Sequence, residues 1–139
     1  MKFALAPLIG AALLGLCAVA SAQQGPRSLH VTGHIQGYSC MMLNLTNEQM
    51  LVFENLPPIR DQPSPTAKQI GVASETVIVA TPRRQEGNFI QVLHMNGQPG
   101  WLEADKVKPW RSANNPNAHC TPAMMSNGRP GFDYTRPAG

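Results

Sequence analysis

The sequence is poor in charged residues and in aromatic residues. Charged side chains make up 14% of the chain and aromatic side chains 6%. The basic residues are scattered, and Arg83-Arg84 is the one adjacent pair. A protein that binds nucleic acid through its surface charge needs a clustered stripe of Lys and Arg. We therefore expect no nucleic-acid partner.

Signatures of catalysis are missing as well. The chain has no G-x-S-x-G, no H-E-x-x-H and no cysteine–histidine catalytic signature. Its histidines fall in no metalloenzyme spacing; they are His30, His34, His94 and His119. A catalytic site needs a nucleophile beside a base, a pair of carboxylates or a metal with an open position. The sequence therefore predicts no enzyme, no cofactor and no metal site.

The N-terminal residues follow the pattern of a secretory signal peptide. Met1-Lys2 is positively charged, Phe3 to Val19 is apolar, and Ala20-Ser21-Ala22 matches the small-x-small cleavage pattern. The alternative is a membrane anchor, but the apolar run is shorter than the ~20 residues that span a bilayer. We predict that residues 1–22 are removed. The mature protein is then exported to the periplasm or the extracellular space, without membrane contact.

Two cysteines, Cys40 and Cys120, remain after this cleavage, because Cys17 lies in the predicted signal peptide. An even pair in an exported chain predicts a disulfide bond. Two free thiols or two metal ligands are the alternatives that the sequence leaves open.

Short β-rich runs separated by turn residues fill the middle of the chain. Thr76 to Thr81 and Asn88 to Met95 are rich in β-branched and apolar residues, which are typical of strands. Asn96-Gly97 is a strong hairpin signal, and Gly100 to Glu103 follows it. No segment after residue 22 has a sustained helical period. The sequence therefore predicts an all-β fold.

The flanking segments are more irregular in composition. Residues 23–58 predict an N-terminal extension with short strands, at Tyr38 to Leu45 and at Leu51 to Leu56. Residues 109–139 are rich in Pro, Gly and Asn, and such a segment cannot fold by itself. We expect an irregular C-terminal tail that Cys120 ties back to the strand containing Cys40.

Three motifs follow one another between residues 59 and 107. The first is Ile59-Arg60-Asp61-Gln62-Pro63-Ser64 with Gln69-Ile70-Gly71, the second is Asn88 to Val92, and the third is Asn96 to Leu102. They resemble the V-R-x-G-P-S…V-I-G opening, the G-W-x-K-V middle and the N-G-x-x-G-W-V close of the bacterial SH3 (Src homology 3-like) domain. The resemblance implies a small SH3-like β-barrel of about five strands over residues 59–108. Gln62 departs from the family pattern, which has Gly there.

Alternation along these strands predicts which residues fill the interior. They are Ile70, Val77, Val79, Ile90, Val92 and Leu102. Gly71 and Gly100 are expected where a small, tightly coiled sheet needs backbone without a Cβ atom.

Trp101 and Phe89 are the candidate recognition residues, because aromatic side chains supply stacking area for sugars and peptides. A small domain also has few large side chains for its core, so both residues are equally well explained as core or half-buried. The tentative polar rim of the site consists of Asp61, Gln62, Glu103 and Lys106. Arg60 is expected to have a structural hydrogen-bonding role.

The resemblance implies a non-catalytic binding module of the cell envelope that contacts a cell-wall peptide or glycan. The alternative is a module that binds or inhibits an envelope protein. A less favoured hypothesis is a copper carrier, because thioether and imidazole ligands suit cuprous copper. Its candidate ligands lie near the two cysteines: Met41, Met42, Met124, Met125 and His119. Methionines also fill irregular gaps in a core, which explains them without copper.

Overall fold

The computed structural model describes Gly10 and residues 28–135. The predicted signal peptide, apart from Gly10, lies outside the described residues. As predicted, the described chain is all-β, and its strands pair antiparallel. The strands are β1 Val31–His34, β2 Tyr38–Leu43, β3 Pro58–Arg60, β4 Gln69–Val72, β5 Thr76–Ala80, β6 Gln85–Glu86, β7 Phe89–Leu93, β8 Pro99–Glu103, β9 Val107–Pro109, β10 His119–Met125 and β11 Pro130–Thr135.

Eight strands form a large sheet with the order β4-β3-β8-β7-β5-β2-β9, and β6 pairs with β7 beside this path. The sheet differs from the expected barrel, because its two end strands, β4 and β9, do not pair within the described residues. The reason is that β2 and β9 extend the sheet beyond β5. The sheet therefore includes a strand from the predicted N-terminal extension.

The hydrophobic core lies on one face of this sheet, which we call the inner face. Val79 lies opposite Val92, and Ile90 lies opposite Leu102, so their side chains share that face. The core cluster consists of Leu43, Ile59, Ala73, Val77, Val79, Ile90, Val92 and Leu102. The predicted interior residues all belong to this cluster except Ile70, which is partly buried and packs against it.

At two positions, neighbouring side chains approach the backbone so closely that only glycine fits. A Cβ atom on Gly100 would lie 2.5 Å from Cγ2 of Ile59, and one on Gly71 would collide with the ring of His94. Gly97 has a φ of +91° in the turn between β7 and β8, so the predicted hairpin is confirmed.

Short helical turns interrupt the strands. The helix α1 is Asn47–Met50, and 3-10 helices occupy Phe53–Asn55 and Ala104–Lys106. The prediction of an extended run from Leu51 to Leu56 was wrong. The Thr46 hydroxyl accepts a bond from the Gln49 amide, and the Gln49 side chain accepts one from the Thr46 amide; this capping box starts a helical turn. None of the described helices has the length and apolar character needed to cross a membrane.

Three strands form a small sheet with the order β1-β10-β11. It differs from the expected irregular tail, because β10 and β11 make a regular hairpin and β1 pairs along β10. The N-terminal segment thus supplies the hydrogen-bonding partner that the tail lacks by itself. The predicted disulfide bond is confirmed: Cys40 of β2 is joined to Cys120 of β10, with their Cα atoms 5.9 Å apart.

The small sheet covers part of the outer face of the large sheet. Cys40 lies opposite Ile78, so both side chains point away from the core. Although it faces outward, Ile78 is only 1% exposed. At the other end, Pro130 of β11 lies beside Gly97, where an added Cβ would be 4.0 Å from the proline ring. The small sheet therefore runs from the disulfide to the β7–β8 turn. The adjacent row of side chains on the outer face lies next to the small sheet and is not covered by it.

Candidate functional site

A row of side chains crosses the outer face of the large sheet next to the small sheet. Trp101 of β8 lies opposite both Arg60 of β3 and Gln91 of β7. Continuing the β5–β7 register places Ala80 opposite Gln91, and Tyr38 of β2 lies opposite Ala80. Residues directly opposite each other share a face. We call these five residues the tryptophan row.

Strand alternation explains why the row is polar and aromatic in a sheet with an apolar core. In β7, Ile90 and Val92 point into the core, so Gln91 between them points outward. In β8, Leu102 points inward and Trp101 outward. The side chain of Trp101 is half-buried and lies outside the core cluster. Trp101 is therefore partly open to solvent, and it lies beside the side-chain amide of Gln91.

Arg60 holds the loop that begins at one end of the tryptophan row. Its Nη1 donates a hydrogen bond of 2.9 Å to the carbonyl oxygen of Ala67. The amide of Asp61 donates a second bond of 2.9 Å to the carbonyl oxygen of Lys68. The expected structural role of Arg60 is confirmed. Asp61 and the exposed Gln62, both predicted rim residues, stand at the start of this loop.

Phe89 lies on the same strand as Gln91 and is only 6% exposed. Little of its ring is accessible to a ligand. The burial of Phe89 therefore favours the alternative that it is a core residue. Glu103 lies opposite Phe89 and is joined to Lys106 by an ion pair of 3.8 Å. Of the predicted rim residues, Glu103 is the one that shares β8 with Trp101.

A cavity of about 370 Å³ opens at the other end of the tryptophan row. Its lining residues are Gly37, Tyr38, Ala80, Thr81, Pro82, Arg83, Arg84 and Gln91. Tyr38, Ala80 and Gln91 belong to both the row and the cavity, so the two form one continuous surface. Sequence reasoning missed Tyr38 and Gln91, although a single polar residue at the centre of an apolar strand is the signal that marks an outward position.

A separate aromatic cluster lies where the chain leaves the large sheet. Trp110, directly after β9, stacks on Tyr134 of β11 with ring centroids 5.7 Å apart. The ring centroids of Tyr134 and Phe132 are 6.0 Å apart. These aromatics join the end of β9 to the small sheet and lie outside the tryptophan row.

The four methionines of the copper hypothesis do not share one face. Met41 packs against the core, and its neighbour Met42 points to the opposite side, where it lines a cavity beside Trp110. The sulfur of Met125 lies beside Gly131 in the small sheet. Within residues 28–135, no three His, Cys, Asp or Glu side chains are grouped to hold a metal ion.

Comparison with protein-family models, with curated proteins and with solved structures finds no match for this chain. The resemblance of residues 59–107 to the bacterial SH3 domain stays a prediction that depends on the sequence motifs.

Proposed function

We propose that this protein is a non-catalytic binding module of the cell envelope, which contacts peptidoglycan or its peptide stems through the tryptophan row. The observation that carries the proposal is the partly open ring of Trp101, flanked by the amide of Gln91 and followed by Tyr38 in the same row. Aromatic faces stack on sugars and peptides, and nearby polar groups orient them.

The cysteine chemistry supports an exported location for this module. The Cys40–Cys120 disulfide is typical of proteins that fold in an oxidising compartment. The signal-peptide pattern of residues 1–22 points to the same compartment. A ligand of the cell envelope is therefore accessible to the mature protein.

The experiment compares two tryptophan variants of the mature protein in sedimentation with purified peptidoglycan. The chain contains two tryptophans, Trp101 in the row and Trp110 outside it, and both are half-buried. We expect Trp101→Ala to weaken binding about tenfold or more, as for a central aromatic contact. Trp110→Ala is the matched control and is expected to sediment like the wild type.

Circular dichroism separates a loss of binding from a loss of folding. If Trp101→Ala unfolds, Trp101→Leu keeps apolar volume at that position while removing the flat ring. A folded Trp101 variant that sediments like the wild type contradicts the proposed contact surface. Failure of the wild type to sediment contradicts the peptidoglycan ligand itself.

A second candidate function, a module that binds another envelope protein, is favoured by one exposed segment. Leu51, Val52 and Phe53 are 86%, 47% and 66% exposed; they follow α1 directly, and Phe53 is the first residue of the 3-10 helix. Exposed apolar patches of this kind occur at protein interaction sites. Under this alternative, Leu51→Ser/Phe53→Ser removes capture of an envelope protein, whereas Trp101→Leu leaves it unchanged.

A further inference from the structure

The cavity at the end of the tryptophan row is created by an interruption between two strands that pair with the same edge of β7. Val79 of β5 lies opposite Val92, and Gln85 of β6 lies opposite Ile90. The chain between Ala80 and Gln85 therefore leaves the ladder as a bulge of several residues and then returns to it. The Arg84 carbonyl oxygen accepts a 2.9 Å bond from the Gln91 amide, which closes the bulge.

Hydrogen bonds from Thr81 hold the start of the bulge in place. The Thr81 amide donates to the carbonyl oxygen of Gly37 at 2.9 Å, and the Thr81 hydroxyl lies 2.6 Å from the hydroxyl of Ser39. The start of the bulge is thus held against the turn that precedes β2. The cavity is a formed feature of the sheet, and its volume of about 370 Å³ lies within the range of small-molecule sites.

The charge in the cavity has no counterpart in the chain's own acidic side chains. Arg83 and Arg84 line the cavity and are exposed. The eight Asp and Glu residues of the chain all lie within residues 28–135. Among those residues, the carboxylates that lie within 4.0 Å of a basic side chain are Asp133, beside His34, and Glu103, beside Lys106, so neither contact involves these arginines.

We infer that this cavity binds the carboxylate of a small acidic ligand, specifically the carboxyl terminus of a peptide. A guanidinium group presents parallel N–H donors that match the two oxygens of a carboxylate. The side chains of Tyr38 and Gln91 then face the last residues of the peptide. The rest of the peptide chain continues along the row toward Trp101. The inference rests on the proposed function in one respect: it names the group by which the same face holds a cell-wall peptide.

The test uses acetylated D-alanyl-D-alanine as the probe, because its only charge is the terminal carboxylate. The mature, disulfide-bonded protein is titrated with this dipeptide and with its C-terminal carboxamide, and backbone amide shifts are followed by NMR. We expect the carboxylate form to shift the amides of Gly37, Thr81 and Gln91. The carboxamide is expected to bind about tenfold more weakly or worse, because it lacks the charge.

Two double variants with equal loss of charge provide the comparison. Arg83→Gln/Arg84→Gln removes the cavity arginines, and we expect the dissociation constant of the dipeptide to rise about tenfold or more. Arg111→Gln/Arg129→Gln removes two exposed arginines elsewhere and is expected to bind like the wild type. Because the exchanged side chains are exposed, both variants are expected to stay folded.

The outcomes separate this inference from the proposed function. Equal binding of carboxylate and carboxamide, unchanged binding by Arg83→Gln/Arg84→Gln, or equally tight binding of inorganic phosphate at the same amides overturns the inference. Peptidoglycan binding that needs Trp101 but neither arginine overturns the inference and keeps the proposed function. Carboxylate binding in the cavity without any peptidoglycan binding keeps the inference and overturns the proposed function.

Discussion

The two sheets of this protein are stabilised in different ways. The large sheet has a cluster of buried apolar side chains on its inner face, among them Ile90, Val92 and Leu102, which are fully buried. The small sheet has little apolar interior. Every residue of β1 is exposed, and β10 contributes the small buried pair Pro122 and Ala123.

This difference shows why the small sheet depends on its attachments. A strand pair with few buried side chains is marginal in water by itself. The small sheet is connected to the large one by the Cys40–Cys120 disulfide and by the stack of Trp110 on Tyr134. We therefore expect core substitutions to destabilise the whole protein and attachment substitutions to loosen the small sheet first.

The largest difference is expected between one core substitution and one substitution in the small sheet. Leu102→Ala removes a fully buried side chain and is expected to lower the free energy of unfolding by about 2–5 kcal/mol. Val31→Ala, at a position that is 36% exposed in β1, is expected to lower it by less than about 1 kcal/mol. Urea denaturation followed by circular dichroism measures both. Equal losses contradict the comparison.

Removal of the disulfide is expected to have the next largest effect. Cys40→Ala/Cys120→Ala opens a loop with a sequence separation of 80 and should reduce the free energy of unfolding by about 2–4 kcal/mol. Amide hydrogen exchange locates the change: β10 and β11 should lose protection, whereas β7 and β8 should retain most of theirs. Uniform loss of protection across both sheets argues that they unfold as a single unit.

The large sheet could be predicted because its signals are local. Alternation in β7 and the Asn96-Gly97 turn fixed which residues face the core, and Ile90, Val92 and Leu102 are buried accordingly. The extension by β2 and β9 could not be predicted, since their mutual pairing joins residues far apart in the chain.

The small sheet was missed because its composition carries no strand signal and its partner is distant. Val31 pairs with Met125, and nothing local to either residue indicates the other. The sequence predicts Trp101 as a site residue, whereas the positions of Gln91 beside it and of Tyr38 farther along the row follow from cross-strand register. The Arg83-Arg84 pair is visible in the sequence, whereas its position over a cavity depends on the bulge between β5 and β6.

The aromatic attachment of the small sheet is expected to have a smaller effect than the disulfide. A double-mutant cycle with Trp110→Leu and Tyr134→Leu isolates the stacking of the two rings. We expect a coupling energy of about 0.5–1.5 kcal/mol in the free energy of unfolding, as for other aromatic pairs. Phe132→Leu with Trp110→Leu is the control cycle and should show weaker coupling. Zero coupling between Trp110 and Tyr134 contradicts their role as an attachment.

The smallest effect is expected from the contact between His34 and Asp133 within the small sheet. Nε2 of His34 in β1 lies 2.8 Å from Oδ2 of Asp133 in β11, so the contact spans the middle strand. The two side chains are 48% and 28% exposed, and solvent therefore weakens their attraction. Asp133→Asn should lower the free energy of unfolding by at most about 1 kcal/mol, because a partly exposed polar contact contributes little to stability. Asp105→Asn, at an exposed position in a 3-10 helix, is the control and should change the stability less. A loss above about 2 kcal/mol in urea denaturation would mean that one partly exposed contact holds the small sheet, against the dominant role assigned to the disulfide.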